Sequence, residues 1–187
     1  MRNSRFRVAM AAVAALVGAL GSGSSAQAAP AAPVAAGAVP TGSNVVITNN
    51  AYSNYLIPDD TKGKPGTYLQ VYYADNHPYP RTFTFEPVSG REGIYKWKHS
   101  SMGACAETQG SGKVGTSVYL QECNSNKAQW WVVRLVHGTG DQFVISPYND
   151  ESLAVTGLYG NDNIAPLREL PSATTSTAPQ RWHIDPR

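Results

Sequence analysis

Gln129-Trp130-Trp131-Val132-Val133 decides the fold, because the chain writes the same pattern three times. Arg81-Thr82-Phe83-Thr84-Phe85 precedes it in register and Gln180-Arg181-Trp182-His183-Ile184 follows it. Each copy has a polar residue, a large aromatic two positions later and an apolar residue two after that. Alternation with period two marks a strand with one buried face. The aromatics Phe83, Trp131 and Trp182 lie 48 and 51 residues apart.

The rest of each unit aligns outward from these strands. Upstream lie the β-rich openings Val45-Val46-Ile47-Thr48, Ile94-Tyr95-Lys96-Trp97 and Phe143-Val144-Ile145-Ser146. Asn54-Tyr55-Leu56-Ile57, Ala104-Cys105-Ala106-Glu107 and Ser152-Leu153-Ala154-Val155 come next. Third in each unit are the stretches 66–71, 115–120 and 162–167. Four short strands per unit, separated by Gly, Asn, Asp, Ser and Pro turns, give about twelve in all, and no helical periodicity interrupts them. The expected fold is all-β. Twelve short strands in three equivalent units favour a closed architecture without exposed sheet edges. A barrel capped by three hairpins, the β-trefoil, meets that requirement with repeats of about 48 residues. Three blades are too few to pack a propeller round its axis.

The N-terminal residues read differently. Arg2, Arg5 and Arg7 precede an apolar run from Val8 to Leu20, and Ala26-Gln27-Ala28 has the small-x-small pattern of a cleavage site. Residues 1–28 are therefore expected to be a signal peptide, since a membrane span wants ~20 apolar residues. Residues 29–41, rich in Ala and Pro, read as a semi-extended linker. The trefoil domain is expected over 42–187, in a secreted protein with no stable membrane insertion.

Export alters the charge argument. The 15 basic residues lose three with the leader, leaving 12 against 13 acidic ones, the first of which is Asp59. No basic stripe remains to bind nucleic acid or anionic lipid; Lys96-Trp97-Lys98 is the one tight basic pair, on a strand face. An oxidising compartment implies that Cys105 and Cys123 form a disulfide, and closing that loop contributes about 3 kcal/mol. The cysteines and the four scattered histidines show no metal-ligand spacing, and no cofactor is expected. No Gly-x-Ser-x-Gly, metal motif or spaced acid pair with His or Ser points to catalysis, so the expectation is a non-enzyme.

The second unit resembles the repeat of the ricin B-type β-trefoil lectins. It carries Gly103-Ala104-Cys105-Ala106-Glu107, Gly115-Thr116-Ser117-Val118-Tyr119-Leu120-Gln121-Glu122-Cys123-Asn124 and Gln129-Trp130-Trp131 in the family's order, with its two cysteine positions inside one lobe. At those positions the third unit has Ser152 and Leu170, and the first Tyr55 and Ala74. The resemblance implies that Trp131 and Trp182 pack the core and do not touch ligand. It also implies a sugar pocket of three parts: a carboxylate two residues after the first cysteine position, a stacking ring two before the second, and an amide just before the Gln.

Charge-assisted bonds from sugar hydroxyls to the carboxylate and an aromatic face against the pyranose C–H side make such a pocket work. The second unit offers Glu107, Gln121 and Ala128, so the acid is kept while ring and amide are displaced; Gln109, Tyr119, Asn124 or Asn126 are the substitutes within reach. The alternative for Glu107 is a solvated turn acid. The third unit has Ala154, Arg168 and Pro179, and the first Ile57, Tyr72 and Pro80, with Asp59 and Asp60 just beyond. Expected carbohydrate-binding residues are thus Glu107, Gln121 and Asn124, and the expected partner is a glycan or polysaccharide.

Six of the ten tyrosines, namely Tyr52, Tyr55, Tyr68, Tyr72, Tyr73 and Tyr79, fall in the first unit. Tyr72 and Tyr73 are adjacent on an extended strand and point to opposite faces. An outward ring suits a binding surface; the alternative is that these rings replace missing core Trp and Cys. A surface patch of Tyr72 and Tyr73 resembles the aromatic receptor-binding surface of the ricin-like subunits of cytolethal distending toxins. That leaves a second reading: a trefoil that binds a secreted protein or a cell-surface receptor, as a toxin-like adhesin or a protease inhibitor.

Overall fold

Each of the three units folds into four strands. In the computed structural model the described residues are 38–60, 65–73, 80–110, 112–158, 164–172 and 174–187. The leader, most of the linker, Ala74, Tyr79 and positions 162–163 lie outside them. The first lobe comprises β1 (Val45–Asn49), β2 (Tyr55–Pro58), β3 (Leu69–Tyr72) and β4 (Thr82–Pro87). The second comprises β5 (Ile94–His99), β6 (Cys105–Thr108), β7 (Val118–Gln121) and β8 (Trp130–Leu135). The third comprises β9 (Gln142–Pro147), β10 (Leu153–Val155), β11 (Leu167–Glu169) and β12 (Trp182–Pro186). Among the described residues there are twelve strands and two single 3₁₀ turns, Lys127–Gln129 and Ala178–Gln180.

The first and fourth strands of each lobe close a six-stranded antiparallel barrel. β1 pairs with β4, β4 with β5, β5 with β8, β8 with β9, β9 with β12, and β12 returns to β1. The second and third strands make the hairpins β2–β3, β6–β7 and β10–β11. These cap one end of the barrel and bond to one another in turn. Leu120 N–H donates to Thr67 O, Leu167 N–H to Thr116 O, and Ala165 N–H to Leu69 O. All-β trefoil architecture is what the triple repeat dictates: no lobe can bury its apolar face alone, and closing three together leaves no barrel edge unpaired.

The core follows from the repeat. Phe83, Trp131 and Trp182 are fully buried, and each indole of the Trp pair finds a carbonyl: Trp131 Nε1–H donates to Ala106 O (2.8 Å), Trp182 Nε1–H to Val155 O (3.0 Å). Strand pairing places Trp97 where the other lobes have Ile47 and Ile145, and Phe85 where they have Ile184 and Val133. Trp97 lies 5.5 Å from the Phe83 ring and 5.5 Å from the Trp131 ring. It fills the space that Phe83 leaves by standing where the other lobes carry Trp. The described tyrosines of the first lobe do not take that role; Tyr52, Tyr55, Tyr68 and Tyr72 are half-buried and Tyr73 is exposed. Val39 is buried in the core and Thr41 bridges Phe85, so the chain joins the barrel a few residues before position 42.

Buried polar groups latch the lobes together. Asn49 Nδ2–H donates to Pro179 O (2.9 Å), and His99 Nε2–H to Pro80 O (2.9 Å). Asn49 pairs across from Trp182 and His99 across from Phe83, so one latch is used twice with two side chains.

Candidate functional site

Hairpin pairing in the second lobe assembles the polar cluster. Glu107 faces Tyr119, and Cys105 faces Gln121. Because side chains on a strand alternate faces, Tyr119 and Gln121 stand on the same side as Glu107. Cys105 and Cys123 are joined as expected, with Cα atoms 5.0 Å apart, which pins the start of β6 to the loop after β7. The Glu107 carboxylate is half-buried and oriented by two donors: Tyr119 Oη–H bonds to Oε1 (3.0 Å) and Gln129 Nε2–H to Oε2 (2.7 Å). An ionised carboxylate has about four lone-pair sites, so two are taken and the rest are open to a ligand donor. It is not a freely solvated turn acid.

The tyrosine hydroxyl carries the mark of this environment. Burial, followed by the bond and the charge of Glu107, pushes the Tyr119 pKa up; a hydrogen bond with the Gln121 side chain works the other way. The Tyr119 ring lies 6.3 Å from Tyr68, which the first-lobe hairpin brings alongside. Tyr119 is thus the ring beside Glu107, while Gln121 occupies the position where the resemblance implied one. Finding it requires the β6–β7 register, because Tyr119 precedes Gln121 by one full alternation on the same face.

Asn124 is exposed and bonded within its own loop. Its N–H donates to Gln129 Oε1 (2.9 Å), its Oδ1 accepts from Asn126 N–H (2.7 Å), and its Nδ2–H reaches Glu122 O (3.3 Å). Asn126 in turn accepts the Ala128 N–H and starts the 3₁₀ turn. Asn124 therefore shapes the loop that delivers Gln129 to Glu107. Gln129, fully buried, also donates to Glu122 O (2.8 Å). Gln180 repeats this in the third lobe through Glu169 O (2.8 Å), with its Oε1 accepting from the Thr177 N–H and hydroxyl. There, no carboxylate among the described residues meets it.

The third-lobe alignment needs a correction. Trp182 bonds Val155 O where Trp131 bonds Ala106 O, so Ala154, not Ser152, stands at the first cysteine position. The Glu107 equivalent is then Thr156, not Ala154; it is buried and donates its hydroxyl to Ala154 O. One extra residue in the turn causes part of this slip. Six positions separate Tyr148 from Ala154, whereas five separate Ser100 from Cys105 and Asn50 from Tyr55. In the first lobe Ile57 is buried at the acid position, and Arg81 lies over the Tyr55 ring, 4.6 Å from its centroid.

Tyr72 is half-buried opposite Tyr55, while Tyr73 is 70% exposed. The two rings therefore share no face. A cleft of about 460 Å³ lies elsewhere, lined by Leu135, Val144, Leu170 and Thr174 among others. None of Glu107, Tyr119 and Gln121 borders it, and its arginine, Arg134, is held by Glu151 and Ser146.

No family model matches the sequence, and no curated protein matches it. Solved structures do. The Macrolepiota procera ricin B-like lectin, solved with lactose, superposes with a TM-score of 0.62 at 16% identity over 80% of this chain and 99% of its own. A Polyporus squamosus lectin, solved with a sialylated trisaccharide epitope, gives 0.63 at 15% identity over 79% of this chain and 50% of its own. An exo-β-1,3-galactanase of Clostridium thermocellum gives 0.66 at 13% identity, over 80% of this chain and 31% of its own. At such identities the likeness concerns the fold: the chain has the ricin B-type β-trefoil fold.

Proposed function

We propose that this protein is a secreted carbohydrate-binding module with one saccharide site, on the β6–β7 hairpin. Glu107 accepts sugar hydroxyls, Tyr119 provides the ring for the pyranose C–H face, and Gln121 contributes its amide. The observation that carries this reading is the Glu107 carboxylate, half-buried and aimed by Tyr119 and Gln129 at once. Fixing an acceptor before the ligand arrives lowers the ordering cost of binding. Asn124 acts through Gln129, as a positioning residue. Ligand-bearing lectins of the same fold support the glycan class, and the basic leader with its Ala26-Gln27-Ala28 site supports secretion.

A glycan array probed with the mature protein and with Glu107→Gln tests it. The expected result is binding by the parent and at least tenfold weaker binding by the variant, as for loss of one charge-assisted acceptor. Undiminished binding by Glu107→Gln refutes the assignment. The second reading, a protein- or receptor-binding trefoil, is favoured by the 70% exposure of Tyr73. A partner protein released by Tyr73→Ala, with no glycan bound by the parent, selects it; Tyr72→Ala separates the outward ring from the half-buried one.

A further inference from the structure

The second and third lobes share a cation–aromatic cluster that the Glu107 site does not use. Tyr148 N–H donates to Trp130 O (2.9 Å), which ties the end of β9 to the start of β8 and sets the two rings 5.3 Å apart. The Arg91 guanidinium lies over both, 5.3 Å from the Trp130 centroid and 5.5 Å from that of Tyr148, and its Nη1–H donates to Tyr148 Oη (2.9 Å). Lys127 Nζ stands 6.0 Å from the Tyr148 centroid.

What is unusual is the counter-charge. Lys98–Glu86, Arg134–Glu151 and His183–Asp141 are ion pairs among the described residues, and none of these involves Arg91 or Lys127. Glu92, next in the chain to Arg91, makes no ion pair with it, and Asp150 accepts from Ser152 instead. Two exposed cations are thus held by rings and a hydroxyl, with four of the five guanidinium donors beyond that one bond. Within the cluster the Trp130 Nε1–H is buried without an acceptor.

We propose that Arg91, Lys127, Trp130 and Tyr148 form a second binding site, for a hexuronate unit of an acidic polysaccharide. The planar carboxylate matches the guanidinium fork, and the Lys127 ammonium beside it matches the hydroxyl oxygens of the attached pyranose. Two cations on a chain of near-neutral mature charge are too few to track a nucleic-acid backbone, where affinity grows with each phosphate neutralised. This site does not depend on Glu107.

The test is NMR titration of the mature protein with glucuronate and with glucose, which differ only in oxidation at C6. The Trp130 indole resonance is identified by its loss in Trp130→Phe. Glucuronate is expected to shift it and glucose to leave it in place. Arg91→Gln is expected to weaken the glucuronate response of the Trp130 indole about tenfold or more. Arg91 is exposed, and retained spectral dispersion confirms that its variant folds. Equal shifts with glucose, an unaltered response in Arg91→Gln, or an equal response to inorganic sulfate overturns the proposal. Tighter binding of oligothymidylate than of trigalacturonate overturns it as well, in favour of nucleic acid.

Discussion

Gln129 donates its side-chain amide to the Glu107 carboxylate at 2.7 Å, so the residue that marks the fold also holds the acid expected to bind sugar. Glu107→Ala removes an acceptor from buried Gln129, which retains Glu122 O. The expected cost is about 1–2 kcal/mol of unfolding free energy, with Glu107→Gln costing less. Urea denaturation measures both. Because burial and then Glu107 raise the Tyr119 pKa, Glu107→Gln is also expected to lower the pH at which Tyr119 ionises, read by ultraviolet titration.

His99 supplies a pH dependence. It is fully buried, accepting from Met102 N–H at Nδ1 and donating from Nε2 to Pro80 O, which fits the neutral ring. Burial lowers its pKa below the ordinary 6.5, against a smaller opposing effect of the Pro80 bond. The folded state then binds fewer protons than the unfolded one below about pH 6.5. Its contribution to stability is present above that pH and is lost as the pH falls through the depressed folded value. Asn49 makes the equivalent latch without a titrating group. His99→Asn is therefore expected to flatten the stability profile between pH 7 and 5, compared by thermal melts with the parent.

Gly157 is required by its neighbour. A Cβ built there falls 2.5 Å from Asn49 Nδ2, and Asn49 is held by Pro179 O and by Ala51 N–H. Gly157→Ala is expected to destabilise the fold by roughly 1–3 kcal/mol through overpacking. In the double variant with Asn49→Ala the two losses should add to less than their sum. Additive losses in chemical denaturation would show that the clash is relieved elsewhere.

The two central tryptophans differ in their polar atoms. Trp131 Nε1–H bonds Ala106 O, whereas Trp97 Nε1–H is buried with no acceptor. Replacement by Phe removes similar volume from each. Only at Trp131 does it also strip a partner from a carbonyl, so Trp131→Phe is expected to cost about 1 kcal/mol more than Trp97→Phe. Equal midpoints in urea would contradict this.

The sequence by itself determined the three-fold repeat, the all-β class, the trefoil and the Cys105–Cys123 bridge. Each follows from local alternation, from one pattern written three times, or from the lack of any other cysteine. Only the tertiary structure decided what the candidate site residues touch. The β6–β7 register put Tyr119 opposite Glu107, and the β10–β11 register put Thr156 in the place assigned to Ala154, a one-residue longer turn accounting for part of the shift. Likewise, Asn124 became a loop brace, and Trp97 rather than the tyrosines compensated for Phe83. Strand pattern is encoded by neighbours two apart in the chain; register and side-chain partnership depend on turn length and on strands far apart in sequence.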